Sequence, residues 1–181
     1  MILESCDPST LVGLRDRAFI GIMAFTFSRV SAVCALDRSD YVYTQSIWNL
    51  RFSEKGGQER DVPVHHELQQ YLDDYVREAG IANGALFRTT RGNKSGLTEN
   101  RLGRFTALAM VKRRAEDAGL PDANKMTNHS FRASGITAFL SQGGQLEEAQ
   151  KIAGHATPKT TKLYDHTTRQ VLRAHIERIR Y

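Results

Sequence analysis

The spacing of apolar residues changes along the chain, and this change limits the fold more than any other feature. Before position 30 the apolar residues recur every three or four positions, as on one buried helix face: Leu11, Leu14, Ala18, Ile22 and Phe25. Between positions 36 and 64 they alternate, as in half-buried strands: Tyr41 and Tyr43, then Trp48, Leu50 and Phe52, then Val62 and Val64. The pattern predicts an α+β fold, mostly helical, with a small three-stranded antiparallel sheet.

Boundary signals place the remaining elements. Asp7-Pro8 is typical of an N-cap followed by a first-turn proline, and the first helix should end near Phe27. Strand turns are expected at Thr44-Gln45 and from Glu54 to Gln58. Further helices are predicted over residues 65–79, 101–118, 129–140, 146–153 and 167–181, with a loop over residues 83–97.

Charge and cysteine content narrow the classes of function. The 181 residues include 25 Lys and Arg against 20 Asp and Glu, a net charge of +5. This modest excess suits a polyanionic partner, and a merely basic soluble protein explains it equally well. Cys6 and Cys34 are too few for a disulfide framework and indicate a reducing compartment. No apolar run approaches the ~20 residues of a membrane span, so a cytoplasmic location is expected.

Six side chains, in a fixed order, carry the groups that cleavage of a phosphodiester needs. In chain order they are Arg29, Lys55, His129, Arg132, His155 and Tyr164. A guanidinium matches two phosphate oxygens, and an imidazole transfers a proton near neutral pH. A tyrosine hydroxyl, with an ordinary pKa of about 10, needs help to lose its proton before it attacks. Each residue alone has a plainer explanation as a capping, packing or solvated group.

The order Arg, Lys, His-x-x-Arg, Gly-His, Tyr resembles the tyrosine recombinase (phage integrase) family. The closing stretch also matches, as Gly154-His155, Thr160-Thr161 and Tyr164-Asp165-His166, and the resemblance covers about residues 11–168. It implies a DNA breaking-rejoining catalytic domain. Such an enzyme cleaves and rejoins DNA strands at specific sites through a 3′-phosphotyrosyl intermediate, and it requires neither metal nor cofactor.

The resemblance also implies a role for each of the six residues. Tyr164 would attack the scissile phosphorus, and His129 would manage the proton of the tyrosine. Lys55, at the tip of the second hairpin, would protonate the departing 5′ oxygen. Three side chains would hold the nonbridging oxygens: Arg29, Arg132 and His155.

Two positions depart from the family pattern. Relatives usually carry an acidic residue three positions after the first arginine, whereas this chain has Ala32. In relatives that carboxylate supports the site, so the orientation of His129 is expected to be less secure here. Gln58 stands where many relatives carry a second hairpin lysine.

A cluster of cations predicts contact with the DNA backbone. Its members are Arg88, Arg91, Lys94, Arg101 and Arg104. Clustered Lys and Arg neutralise phosphates, although a plain solvated face explains the same cluster. The neighbouring histidines His65 and His66 do not share a helix face, so cap or surface roles are preferred to metal binding.

The whole chain, residues 1–181, is expected to be a single tyrosine recombinase catalytic domain. Relatives usually carry a helical DNA-clamping (core-binding) domain first, and the ten residues before the first predicted helix cannot supply one. Either the domain was cut from a longer protein or it is a short natural form. The amphipathic end, about residues 168–181, either packs on its own domain or docks on a neighbouring protomer.

The resemblance implies double-stranded DNA as the partner, with a free monomer that assembles on paired DNA sites as a tetramer. Two other classes of function stay open. A type IB topoisomerase-like enzyme uses the same chemistry without paired sites. A catalytically impaired relative would bind DNA and cleave nothing, which Ala32 makes conceivable. The recombination site, and integration as against excision, depend on base contacts that the sequence does not place.

Overall fold

The computed structural model describes residues 2–53, 59–92, 96–127, 129–155 and 158–163, and these confirm the α+β class. The helices are α1 (Leu11–Thr26), α2 (Val30–Ala35), α3 (His66–Glu78), α4 (Arg104–Asp117), α5 (Ser130–Ser141), α6 (Leu146–Ala153) and α7 (Pro158–Lys162). The strands are β1 (Tyr41–Thr44), β2 (Ile47–Ser53), β3 (Glu59–Pro63), β4 (Arg88–Thr90) and β5 (Leu97–Arg101). Short 3-10 helices cover Arg38–Asp40 and Ala123–Lys125.

The predicted three-stranded sheet is present, in the antiparallel order β1-β2-β3. Leu50 on the central strand lies opposite Tyr41 of β1 and Val62 of β3, so the alternating apolar residues share the buried face. The first turn is Gln45-Ser46, with φ of 52° and 65°, one residue later than predicted. Hairpin turns with positive φ usually contain Asn or Gly. This turn contains neither, so the sequence did not indicate its exact position. The predicted turn over residues 54–58 lies outside the described residues.

Helix α1 is the centre of the main core rather than an edge helix with one buried face. Phe19, Ile20 and Met23 are fully buried, as are Ala18 and Ile22 on the predicted face. The helix contacts α3, α4 and α5, which surround it. The sequence analysis identified one buried face correctly and missed the burial of the other. A helix that is buried all round has apolar residues on both faces, so its sequence does not show a single apolar stripe.

The structure differs from the predicted elements in four places. Helix α1 is capped by Thr10, whose Oγ1 accepts from the Gly13 N–H at 3.0 Å, while Asp7 caps the preceding turn. Helix α2 was missed because six residues carry too little periodicity. The predicted loop over residues 83–97 contains strand β4, which pairs with β5, and Arg101 ends β5 instead of opening α4. The two strands are polar and short, so they show no alternating pattern.

A buried carboxylate joins α1 to α4. Asp16 is fully buried and accepts from Arg15 Nε, Arg113 Nη2 and Arg114 Nε, in each case at 3.0 Å. Arg15 is itself only 2% exposed. Because a buried cation without its carboxylate is costly, this cluster fixes how the two helices dock.

A smaller second core lies between the end of α1 and the helices α5 and α6. Its buried members are Phe27, Ile136, Leu140, Ala149 and Ala153. Gly135 lets α5 approach α1 closely, since a Cβ there would lie 2.7 Å from Phe27 Cδ1 and 2.8 Å from the Ala24 oxygen. This close packing brings the end of α1 near the C-terminal end of α6. In the described part of the chain, no helix is long and apolar enough to cross a membrane.

Replacement of Asp16 by Asn should lower the free energy of unfolding by about 3–5 kcal/mol, because it leaves buried Arg15 without a carboxylate. Urea unfolding followed by circular dichroism measures this difference. The control is Asp117→Asn, because Asp117 also contacts Arg114 but on the exposed surface. That change should cost less than about 1 kcal/mol. Equal losses in the two variants would contradict the role given to Asp16.

Candidate active site

The chain turns sharply between α1 and α2, and this turn presents the first candidate arginine. Phe27 ends α1 in a left-handed conformation, with φ of 51°, and Ser28 after it is fully buried. Arg29 is extended and forms the N-cap position of α2, with its side chain exposed. The turn therefore holds the backbone inside the protein while the guanidinium of Arg29 reaches the surface.

Arg132, on the first turn of α5, is buried at 2% exposure and bonds to three different parts of the chain. Nη1 donates to the carbonyl oxygen of Phe27, and Nη2 donates to that of Ala153 at 2.7 Å. Nε donates to Nε2 of His155 at 3.1 Å. These three acceptors are neutral, so they orient the guanidinium without cancelling its charge.

His155 comes to Arg132 because α6 ends in a left-handed glycine. Gly154 has φ of 60°, a conformation that favours glycine, and it turns the chain back towards α5. The imidazole is 7% exposed, and its Nδ1 lies 2.8 Å from Oγ1 of buried Thr161. Since Nε2 accepts from Arg132, the proton of the neutral ring is assigned to Nδ1, which donates to Thr161.

The surroundings keep His155 neutral. Burial, followed by the positive charges of Arg132 and Arg29, lowers its pKa from 6.5 to about 4. Arg29 lies two residues after Phe27, whose carbonyl accepts from Arg132, so its positive charge acts on the same pocket. The structure thus brings together three of the residues named from the sequence: Arg29, Arg132 and His155.

His129 lies at the N-terminus of α5 with an exposed side chain. Its backbone N–H donates to Oγ1 of Thr127 at 3.2 Å, and its carbonyl accepts from Ala133 at 2.9 Å. The backbone is therefore held while the imidazole faces outward. Lys55 and Tyr164 lie outside the described residues, and their placement in the site stays a prediction.

Position 32 belongs to the core side of α2. Ala32 is half-buried and packs against the main core, and its N–H donates to the carbonyl of Arg29 at 2.9 Å. The methyl group of Ala32 thus packs against the core at the position where relatives are expected to carry a carboxylate. The consequence for His129 stays a prediction.

Arg60 was missed by the sequence analysis. It lies on β3, half-buried, and its guanidinium donates to Ser28 Oγ at 3.0 Å and to the carbonyl of Ile152. Both acceptors are next to residues that Arg132 contacts. The sequence could not predict these contacts, because they depend on how the hairpin packs against distant parts of the chain.

The predicted cationic cluster does not form one uniform face. Arg101 caps the end of α2, because it donates to the carbonyls of residues 34–36. It also pairs with Asp37. Arg88 donates to the carbonyls of Ala85 and Asn83 and so braces its own loop. Arg91 and Arg104 are exposed, and the Arg104 guanidinium lies 4.7 Å from the ring of exposed Phe105. Lys94 lies outside the described residues.

His65 caps α3, one of the two roles that the sequence favoured. Its Nδ1 accepts from the Glu67 N–H at 3.3 Å at the start of α3, and its ring stacks on Phe25. Among the described residues, no group of His, Cys, Asp and Glu has the arrangement of a metal site.

Comparison with known proteins shows the family of the chain. Residues 1–170 match the phage integrase family, and the chain belongs to that family. It is similar to the tyrosine recombinase XerD of Corynebacterium glutamicum, with 32% identity over 92% of this chain and 53% of the relative. It is also similar to the tyrosine recombinase XerC of Herpetosiphon aurantiacus, with 34% identity over 86% of this chain and 49% of the relative. The chain thus spans about half the length of these curated relatives.

Solved structures agree with the fold. The crystal structure of XerA recombinase matches with a TM-score of 0.73 and 27% identity, over 99% of this chain and 63% of that one. The XerH site-specific recombinase, bound to palindromic difH substrate in a post-cleavage complex, matches with a TM-score of 0.76 and 24% identity. That match covers 97% of this chain and 50% of the other. The architecture is therefore that of a tyrosine recombinase catalytic domain.

The state of His155 can be measured directly by long-range ¹H–¹⁵N NMR of the imidazole. The expected result is the Nδ1–H tautomer at pH 7 and a protonation midpoint near 4. His66, which is exposed, serves as the reference ring. Because the folded pKa lies below 6.5, acidification from pH 6.5 to about 4 should also reduce the stability contributed by this group. An Nε2–H tautomer, or a midpoint near 6.5, would contradict the Arg132–His155 contact.

Proposed function

We propose that this chain is the catalytic domain of a site-specific DNA recombinase that cleaves and rejoins strands through a 3′-phosphotyrosyl intermediate. The observation that carries the proposal is the Arg132–His155 pair, buried beside Arg29 in a chain of the phage integrase family. A buried, oriented guanidinium is suited to an oxyanion, because its field is stronger away from water and costs no reorganisation.

The phosphate would bind where Arg29 and Arg132 converge. Negative charge grows on the nonbridging oxygens in the transition state, and two guanidinium groups would stabilise that charge. In the free protein His155 Nε2 accepts from Arg132, so His155 first acts by orienting Arg132. For His155 to donate to a phosphate oxygen itself, DNA must replace this contact and the ring must carry a proton on Nε2.

Strand cleavage would be a transesterification. The Tyr164 oxygen forms a bond to phosphorus as the bond to the 5′ oxygen breaks, and a 3′-phosphotyrosyl link results. His129, exposed at the start of α5, would take the phenolic proton. Lys55 would supply a proton to the departing oxygen, giving a 5′ hydroxyl. Attack by a 5′ hydroxyl on the link reverses the step and rejoins the strand.

Double-stranded DNA is the proposed partner. The net charge of +5 supports a polyanionic ligand, and exposed Arg91 and Arg104 are the better candidates for backbone phosphates. Lys94 remains a candidate from the sequence. Arg88 and Arg101 are proposed to act mainly by shaping the loops that carry this surface, because each donates to two or more backbone carbonyls. Arg91 donates to one, that of Leu97.

Assembly and location are further parts of the proposal. The free chain would be a monomer that forms a tetramer on paired DNA sites, with residues 168–181 docking on a neighbouring protomer. Residues 1–181 would act as one catalytic domain. A cytoplasmic location stays a prediction. The names of the relatives support recombination over topoisomerase-like relaxation.

Replacement of Tyr164 by Phe should abolish covalent attachment to DNA and leave DNA binding unchanged, because only the attacking oxygen is lost. The probe is a library of nicked duplexes with a randomised core. After cleavage the short strand that carries the 5′ hydroxyl diffuses away, so the strand cannot be rejoined and the covalent intermediate accumulates. Adducts that survive denaturant are counted by gel electrophoresis. The control is Tyr43→Phe, since Tyr43 is 61% exposed on the sheet and should be neutral. An adduct formed by the Tyr164→Phe variant would show that another residue attacks.

Removal of residues 171–181 should leave a folded monomer that binds a single DNA site and assembles poorly on paired sites. The reason is that one stripe of this segment is proposed to dock on a neighbour. The stripe is formed by Val171, Leu172, His175, Ile176 and Ile179. Analytical ultracentrifugation with one-site and two-site duplexes measures the assembly. Arg178→Gln, which keeps the stripe, is the control and should assemble normally. Unfolding of the shortened chain would instead mean that the stripe packs on its own domain.

A further inference from the structure

Two backbone segments meet at the candidate site, and two arginines bridge them. The first is the turn over residues 27–29, and the second covers residues 152–155. Arg132 bonds to the carbonyls of Phe27 and Ala153. Arg60 bonds to the neighbouring residue in each segment, the hydroxyl of Ser28 and the carbonyl of Ile152. The same junction is therefore held twice, from α5 and from β3.

The side chain of Arg60 is held in place by its surroundings. It lies opposite Phe52 in the β2–β3 register, and its guanidinium is 4.6 Å from the centre of that ring. Phe52 is 1% exposed, so the stacking is well shielded and favours a fixed cation. Ser28 is fully buried and lies 2.7 Å from Thr26 Oγ1, which in turn donates to the carbonyl of Ile22. Arg60 thus joins a chain of hydrogen bonds that is anchored in α1.

The positions of its acceptors give Arg60 influence over the candidate phosphate-holding groups. Ser28 directly precedes Arg29, so fixing Ser28 fixes where the Arg29 side chain leaves the turn. Ile152 lies three residues before His155, on the last turn of α6. A change in the gap between the two segments would move Arg29 and His155 apart, because one belongs to each segment.

We propose that Arg60 is a positioning residue for strand cleavage, which sets the spacing between residues 27–29 and 152–155 and thereby aligns Arg29 with Arg132 and His155. This role rests on the function proposed above. A displacement of ~1 Å between catalytic groups and a reacting phosphate costs on the order of 100-fold in rate. Arg60 acts through the two segments and does not itself need to touch DNA.

Arg51 offers a matched control on the same sheet. It pairs with Asp61 at 3.3 Å, and the two side chains are 40% and 49% exposed. The Arg51–Asp61 pair is adjacent to the Phe52–Arg60 pair in the register, so it lies on the opposite face of the sheet. Arg51→Met and Arg60→Met therefore each remove a guanidinium from adjacent strand pairs, but on opposite faces of the sheet.

The first test needs no DNA and uses amide hydrogen exchange of the free chain. Two sets of amides report on the two segments: Ala32 and Val33, which bond to the Arg29 carbonyl, and Gly154 and His155, which bond to carbonyls of α6. In Arg60→Met these amides should exchange about 10-fold faster, because the local opening free energy falls, while amides of α3 should not change. Arg51→Met should leave both sets unchanged.

The second test measures single-turnover cleavage and DNA affinity on a nicked duplex selected by adduct formation with the unaltered chain. Arg60→Met should cleave about 10–100-fold more slowly, as for other residues that orient a reactive group, while the Kd changes less than about threefold. Arg60→Lys should not restore the rate, since a single ammonium does not replace a fork that spans two acceptors. Ser28→Ala should give a smaller loss, because it removes one of the two acceptors.

Each outcome decides the proposal. Local exchange increases with slow cleavage and an unchanged Kd support it. Unchanged exchange, or an increase that extends to α3, overturns it in favour of no role or a general stabilising role. Normal cleavage by Arg60→Met despite faster exchange also overturns it. If the unaltered chain forms no adduct, the proposed function fails first, and the exchange data alone show whether Arg60 ties the segments together.

Discussion

The hydrogen bonds of the Arg132 guanidinium are the interaction on which the rest of the site depends. One buried side chain joins the end of α1, the end of α6 and the imidazole of His155. A buried charge is tolerated only where polar groups surround it, so these carbonyls must stay where they are. The arrangement is possible because the second core, with Gly135 at its closest approach, brings α5 against α1.

The same contacts determine the electrostatics of the pocket. Burial and two neighbouring guanidinium groups hold the pKa of His155 near 4, so at neutral pH the positive charge resides on arginine. An arginine keeps its charge at any physiological pH and presents a planar fork, which suits a phosphate better than a titrating group does. His155 and Thr161 then serve as the neutral support that fixes the direction of Arg132.

The sequence predicted well what depends on local pattern. Alternation of apolar residues identified β1, β2 and β3, and helical spacing identified α1 and α3–α6. The order of residues around His129 and His155 identified the family, which the comparison confirmed. Chemical roles for the six candidate residues came from resemblance, and those roles stay predictions.

What the sequence did not predict depends on contacts between distant segments. Arg60 and Arg101 both look like surface cations, yet each reaches carbonyls more than 60 positions away. Asp16 looks like a helix-surface acid and is fully buried among arginines. Helix α2 and the β4–β5 hairpin are too short to show a period, and they form because the surrounding core holds them.

The central claim is that this chain attaches covalently to the 3′ end of a cleaved DNA strand through Tyr164. Peptide mapping of the trapped adduct by mass spectrometry tests it most directly. The predicted result is one modified peptide, with Tyr164 linked to a 3′ phosphate and the other strand end released as a 5′ hydroxyl. Linkage to a 5′ phosphate, or through any residue other than Tyr164, would contradict the claim.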